Sequence, residues 1–148
     1  MKAKLFLRIA SVIIFLHAIG HFMGVATVAK GETDEENMVI HAMTDHRFSV
    51  LGAEHSFADF LHGFGWVGEV FLLLTVYLLW FTGSLAAGQP AISRKLSAVL
   101  FIGLLAQTIL EFIYFFPIAY LMSLIAAVLT GLAFIELRSK RNSSLQSG

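Results

Sequence analysis

Apolar residues dominate four long stretches of the chain, and polar residues concentrate between them. The stretches cover about 5–29, 58–82, 94–115 and 117–137. A helix needs roughly 20 mainly apolar residues to cross a bilayer core of about 30 Å, and each stretch is long enough. The pattern predicts an all-α integral membrane protein with four transmembrane helices. The longest polar connection, at 30–57, joins the first two spans.

Composition strengthens the membrane assignment and removes several other classes of function. Of the 148 residues, 57% are hydrophobic and 14% are charged, whereas soluble domains have about 45–50% and about 25%. The formal net charge is zero, so no basic excess indicates a nucleic-acid partner. The chain contains no cysteine, which excludes disulfides and thiolate metal sites. Because the composition is that of a membrane protein, the lipid bilayer is the expected partner. The sequence leaves open whether the protein forms a homo-oligomer.

Lysine and arginine residues near the span ends predict the orientation. Basic clusters mark the cytoplasmic side under the positive-inside rule. Three such clusters occur: one at the start of the first span, one between the second and third spans, and one after the fourth span (Lys2, Lys4 and Arg8; Arg94 and Lys95; Arg138, Lys140 and Arg141). We therefore expect an antiparallel four-helix bundle in a bacterial inner membrane, with both termini cytoplasmic and the 30–57 loop outside.

The spans use most of the chain, so we expect one membrane domain at 1–138 and a disordered cytoplasmic tail at 139–148. The first apolar stretch, with Lys2 and Lys4 before it, also fits a cleaved signal peptide. Its length and its two histidines favour a retained span. In the outer loop, Thr33 to Glu36 matches a capping box and predicts a surface helix over about 34–46. The S-x-x-D pattern from Ser56 to Asp59 predicts a second cap just before span two.

Ionisable residues inside the spans are the candidates for function, because such residues are costly in a bilayer and usually face the bundle interior. Residues three, four and seven apart share one face of a helix. By this rule, three spans each carry one polar stripe (His17, Gly20, His21 and Gly24; Asp59, His62, Trp66 and Glu69; Gly103, Gln107, Glu111 and Tyr114). The sequence therefore predicts a polar pocket between three helices.

Counting the rise of about 1.5 Å per residue from each span end sorts the polar residues into two layers. His21, His62 and Glu111 are expected near the outer surface. His17, Gln107 and Glu69 are expected one or two turns deeper. The inner half of the bundle has few polar side chains, so we expect the pocket to open toward the non-cytoplasmic side.

The first functional hypothesis is a metal site. His21, His62 and Glu111 would form a set of two histidines and one carboxylate, which suits Zn or non-haem Fe. Open coordination positions would then permit hydrolytic or oxidative chemistry on a lipophilic small molecule.

The second hypothesis is metal-free acid–base chemistry on a lipid-like substrate, with Glu69, Glu111 and His17 as the reacting groups. The residues expected to line the ligand pocket are His17, Trp66, Gln107 and Tyr114. His46 and His55, in the outer loop, are candidates to cap it.

The third hypothesis is non-enzymatic: a proton relay, a transporter subunit or a haem carrier. As a cofactor, haem is less favoured than a Zn or Fe ion. The plainest alternative is that the histidines only join helices through hydrogen bonds. The sequence does not decide whether the protein is an enzyme.

Overall fold

The computed structural model describes residues 2–27 and 30–146, with side chains as far as Ser139. Five helices and one two-stranded hairpin are assigned along these residues: α1 Lys2–Ala26, α2 Asp34–Asp45, β1 Arg47–Val50, β2 Ala53–Ser56, α3 Phe57–Gly88, α4 Pro90–Tyr114 and α5 Pro117–Gln146. Within that described part, four helices are long and apolar enough to cross a membrane, namely α1, α3, α4 and α5. The prediction of four membrane-spanning helices is confirmed to that extent.

Each long helix extends past its predicted span at one end or both, and α3 and α5 do so by the most. Helix α3 has 32 residues, about 48 Å of helix, so it exceeds a bilayer core of about 30 Å. Helix α5 continues to Gln146. The helix assigned as α5 thus extends into the segment 139–148, for which a disordered cytoplasmic tail stays a prediction. Residues 147–148 lie outside the described residues.

The chain divides into two compact units. The first unit contains Met1–Ala18 and Leu72–Gly148, and the second contains Ile19–Phe71.

In the first unit, the helices bury residues at alternating spacings of three and four. Helix α1 buries Ala3, Leu7, Ala10, Ile14 and His17, and α4 and α5 have equivalent stripes (Ser93, Ser97, Leu104, Thr108 and Glu111; Ala119, Ser123, Ala126, Thr130, Ala133 and Leu137). Such spacing is typical of helices that pack at small crossing angles. Many of these side chains are small, which lets helices in membranes approach closely. A polar residue on a buried stripe is consequently enclosed by protein.

Serine hydroxyls connect the helices of the first unit to one another. The Oγ of Ser11 donates a hydrogen bond to the carbonyl oxygen of Val76 at 2.8 Å, which joins α1 to α3. The Oγ of Ser93 donates to the carbonyl oxygen of Thr82 at 2.9 Å, which joins α3 to α4. These hydroxyls lie in the half of the helices where the sequence pattern indicated little polarity. They contribute through backbone contacts that a hydropathy pattern does not reveal.

In the second unit, both predicted helix caps are confirmed. The Oγ1 of Thr33 accepts a hydrogen bond from the Glu36 backbone N–H at 3.2 Å, and the Glu36 carboxylate accepts one from the Thr33 N–H at 3.2 Å. Ser56 and Asp59 make the same reciprocal pair at the start of α3, at 3.1 and 2.9 Å. Caps depend on a few adjacent residues, and this is why sequence alone located them.

The hairpin between these caps was not predicted. Its strands pair Arg47 with Ser56 and Val50 with Ala53. The turn places Leu51 at φ 51° and Gly52 at φ 87°, as a two-residue type I′ turn requires. Asn or Gly usually precedes that glycine, so Leu51 concealed the turn signal. The Phe48 ring holds the hairpin against α3, with its centroid 4.7 Å from Phe57 and 5.8 Å from Phe60.

Candidate functional site

A buried polar cluster in the first unit joins three helices. It consists of His17 on α1, Gln107 and Glu111 on α4, and Ser123 on α5, and is called the buried cluster below. The Nε2 of His17 lies 3.7 Å from Oε1 of Glu111. The side-chain amide of Gln107 donates to that same Oε1 at 2.7 Å and to Oγ of Ser123 at 3.3 Å. Oγ of Ser123 is 3.3 Å from Nδ1 of His17.

The hydrogen-bond directions in the buried cluster follow from its donors. Gln107 is a donor to Ser123, so the hydroxyl proton of Ser123 is left to donate to Nδ1 of His17. A neutral His17 then carries its ring proton on Nε2, which faces Glu111. This assignment rests on the consistency of the network. Ser123 and Gln107 therefore orient both reacting groups, His17 and Glu111.

Because His17 and Glu111 are buried, the number of protons that they hold strongly affects their free energy. His17 and Glu111 are 7% and 9% exposed, and Ser123 is fully buried. An uncompensated charge in such surroundings is expensive, so the pair is most stable with a total charge of zero. One proton satisfies that condition, either on the Glu111 carboxyl beside a neutral imidazole or on His17 beside a carboxylate. The two arrangements share a single proton between coupled groups.

One oxygen of the buried cluster lacks a partner. Among the described residues, no donor or acceptor meets the buried Oε2 of Glu111. Buried polar atoms without a hydrogen bond are uncommon in native proteins and call for an explanation. As a carboxylate oxygen Oε2 would need a donor, and as a carboxylic acid its O–H would need an acceptor, so either protonation state leaves this atom open to a further partner.

A second His–Glu pair lies within the second unit. Nδ1 of His21 is 3.1 Å from Oε2 of Glu69, within hydrogen-bonding distance. The side chains are 26% and 8% exposed. Two glycines of α3 accommodate α1 here. A Cβ at Gly68 would lie 3.4 Å from the imidazole ring of His21, and one at Gly65 would lie 2.8 Å from Val25.

The pairing differs from the two predicted layers. The layers grouped His17 with Glu69 and His21 with Glu111, whereas His17 contacts Glu111 and His21 contacts Glu69. The depth estimate took the span ends as fixed reference points, and α3 continues to Gly88 instead of ending at about residue 82, which brings Glu69 closer to the level of His21. One helical turn is about 5.4 Å, so an error of this size is enough to exchange partners. Gln107 does lie beside His17, as the layers predicted, through Ser123.

The remaining pocket candidates occupy more exposed positions. His62 is exposed and its ring centroid lies 5.9 Å from that of Trp66. Trp66 is 39% exposed and also meets Phe22 edge to face. Tyr114, at the last position of α4, is 74% exposed. Their assignment to a ligand pocket stays a prediction.

The two proposed cap histidines have local contacts within the second unit. His46 follows α2 as its C-cap and lines an open depression of about 770 Å³ with His41, Asp45 and Phe57. His55 on β2 lies 3.9 Å from the Asp59 carboxylate, which is also 3.6 Å from Arg47. His55 therefore helps to fix the hairpin on the start of α3.

Sequence reasoning undervalued Ser123. It is absent from the predicted site, although it links His17 to Gln107. A usable signal was present, because Ser123 shares the spacing of Ala119, Ala126 and Thr130 along one face. That periodicity indicates a buried position, where a hydroxyl must find a partner.

In the part of the chain that the structure describes, no three His, Asp or Glu side chains come together as a metal-binding group. The predicted combination of His21, His62 and Glu111 is therefore without structural support, and each buried pair supplies one imidazole and one carboxylate. The coarse conclusion is that four apolar, potentially membrane-spanning helices contain a buried His17–Glu111 pair. Comparison with known proteins adds no functional assignment, since the chain matches no family model, no curated protein and no solved structure.

Proposed function

We propose that this protein is a multi-pass membrane protein that binds and releases a proton at the His17–Glu111 pair. The observation that carries the proposal is the buried Oε2 of Glu111, which lacks a partner among the described residues while His17 lies 3.7 Å from the other oxygen. Buried carboxylates and histidines of membrane proteins are typical of proton pathways. The proposal belongs to the proton-relay class of function.

Each member of the buried cluster has a distinct part in this reaction. Glu111 holds the exchanging proton on Oε2, and the Nε2–H of His17, 3.7 Å from Oε1, stabilises the carboxylate that remains when this proton leaves. Gln107 donates to Oε1 and so keeps that oxygen from turning away. Ser123 holds Nδ1 of His17, which directs Nε2 toward the carboxyl group. Loss of one proton leaves a net negative pair, and gain of one leaves a net positive pair. Both charged states are higher in energy than the neutral pair.

The proposal includes the topology inferred from charge. Both termini lie in the cytoplasm and the connection at 30–57 faces the opposite side, as the basic residues near the span ends favour. A bacterial inner membrane is the proposed location. Protons would then enter the buried cluster from the non-cytoplasmic side.

Infrared difference spectroscopy of the protein reconstituted in lipid tests the proposal. Raising the pH should remove a carbonyl band of a protonated carboxylic acid that belongs to Glu111. We expect Glu111→Gln to lose this band, because the amide keeps the shape but has no proton to exchange. Glu54→Gln is the matched control on the exposed strand β2, and it should retain the band. Identical difference spectra for Glu111→Gln and the unaltered protein would overturn the proposal.

A bound metal ion is the second candidate at the same position. The unpartnered Oε2 of Glu111 and the imidazole of His17 offer one oxygen ligand and one nitrogen ligand, and Zn and Fe bind both kinds. Additional ligands would come from water or substrate. Elemental analysis of protein purified without a metal-affinity resin tests this candidate: near-stoichiometric metal that is lost in His17→Ala supports it. A Soret band would indicate haem, and a metal-free, colourless sample would remove this candidate.

A further inference from the structure

Arg8 is a positive charge inside the apolar region of α1, and its side chain is held in a defined position. Its guanidinium carbon lies 3.3 Å from the centre of the Trp80 ring. Its Nη2 donates a hydrogen bond to Oγ of Ser84 at 3.0 Å. Ser84 in turn donates to the Trp80 carbonyl oxygen at 3.1 Å. The stacking and the hydrogen bond both come from one face of α3.

This arrangement fixes Arg8 without neutralising it. Its described contacts include no Asp or Glu carboxylate, and its buried Nε has no acceptor among the described residues. A guanidinium has five N–H donors, and Ser84 takes one of them. Charged residues in a span are normally paired with an opposite charge or with oxygen acceptors. The group therefore has both a charge and several donors to offer to a ligand.

Glycine brings the two helices together at this level. A Cβ at Gly83 would lie 3.4 Å from Cβ of Leu7 and 3.6 Å from Nε of Arg8. The close approach covers the inner part of the Arg8 side chain, while the guanidinium end stays partly exposed. Trp80 is 47% exposed. Tryptophan is enriched where the hydrocarbon core meets the headgroups, so this level of α3 fits the headgroup region.

We propose that Arg8, positioned by Trp80 and Ser84, binds the phosphate of an anionic lipid headgroup. A phosphate offers the oxygen acceptors and the negative charge that the guanidinium lacks, and a planar guanidinium binds two of its oxygens at once. Lys4, one turn earlier on α1 and exposed, adds a second positive charge nearby. The same chemistry would also bind free phosphate. This site is independent of the proton-binding proposal, because it uses none of the same residues.

Native mass spectrometry of the full-length protein in detergent tests the site. The probes are phosphatidylglycerol, phosphatidylcholine and inorganic phosphate, each titrated separately. We expect phosphatidylglycerol to bind best, and Arg8→Gln to weaken its binding by about tenfold. Lys95→Gln is the matched control, since it removes one positive charge from an exposed position on α4. It should weaken binding much less.

Arg8→Lys separates folding from recognition. It keeps the charge but loses the planar fork, so binding should fall between that of the unaltered protein and that of Arg8→Gln, with unchanged helix content by circular dichroism. If inorganic phosphate binds alone in an Arg8-dependent way and displaces the lipid, the phosphate site is supported and its ligand is free phosphate. Equal losses in Arg8→Gln and Lys95→Gln, or full binding by Arg8→Gln, would overturn the proposal.

Discussion

The two His–Glu pairs contain the same residue types but differ in their contacts. His21 and Glu69 are 3.1 Å apart in a direct hydrogen bond, and the imidazole is partly exposed. His17 and Glu111 are 3.7 Å apart, both are buried, and Glu111 leaves one oxygen without a partner among the described residues. We expect the direct hydrogen bond to hold the first pair in one protonation state, and the longer contact with an unsatisfied oxygen to let the second pair exchange a proton. Under the proposed function, environment more than residue type separates the structural pair from the proton-exchanging one.

The largest effect is expected from breaking the more buried pair. His17→Leu leaves the Glu111 carboxyl without its imidazole neighbour and should lower the free energy of unfolding by about 3 kcal/mol. Unfolding in detergent with increasing denaturant measures this change. The double variant His17→Leu/Glu111→Leu removes both polar groups and should be more stable than His17→Leu alone. A double variant that is less stable than the single one would contradict the account.

A smaller effect is expected where glycine shapes the second unit. In Gly65→Ala, the new methyl group would lie 2.8 Å from Cγ2 of Val25, so α1 or α3 must shift. We expect a loss of about 2 kcal/mol from overpacking. Gly63→Ala is the matched control on the same helix, since no atom lies within 4 Å of its added methyl group. Combining Gly65→Ala with Val25→Ala should restore most of the loss. Equal effects of Gly63→Ala and Gly65→Ala would show that the close approach is unimportant.

His21→Leu should cost less than His17→Leu. It removes one hydrogen bond, worth about 1 kcal/mol between helices in a membrane, and the partly exposed position of His21 gives water access to the Glu69 carboxyl that loses its partner. The same unfolding assay compares the two variants directly. A larger loss for His21→Leu than for His17→Leu would reverse the assigned roles of the two pairs.

The smallest effect on stability should come from Ser123→Ala. The variant removes one hydroxyl from the buried cluster and should destabilise the protein by about 1 kcal/mol. Its effect on proton binding at the buried cluster should be more pronounced than its effect on stability, because Nδ1 of His17 loses the hydroxyl that orients the ring. The infrared carbonyl band of Glu111 should therefore shift in Ser123→Ala. An unchanged band would mean that Ser123 does not position His17.

The sequence predictions that were confirmed depend on short stretches of neighbouring residues. The predictions that failed depend on how helices far apart in sequence are aligned. The four apolar helices follow from run length, and the Thr33 and Ser56 caps follow from neighbouring residues. The partners of His17 and His21 depend on the relative height of helices far apart in sequence, where one turn changes the pairing.

The hairpin and the unpartnered Oε2 of Glu111 are two further features that the sequence did not predict. Leu51 occupies a turn position where Asn or Gly is usual, so no residue marked the hairpin. Whether Oε2 of Glu111 finds a donor depends on three helices at once, since the surrounding cluster draws on α1, α4 and α5. Neither feature has a signature within one stretch of sequence.

The most direct test of the central claim compares two carboxyl substitutions in one infrared titration. Glu111→Gln and Glu69→Gln are reconstituted in the same lipid and taken through the same pH steps. We predict that the pH-dependent band of a protonated carboxylic acid disappears in Glu111→Gln and persists in Glu69→Gln. Loss of the band in Glu69→Gln with its retention in Glu111→Gln would contradict the account and assign the exchanging proton to the pair of His21 and Glu69.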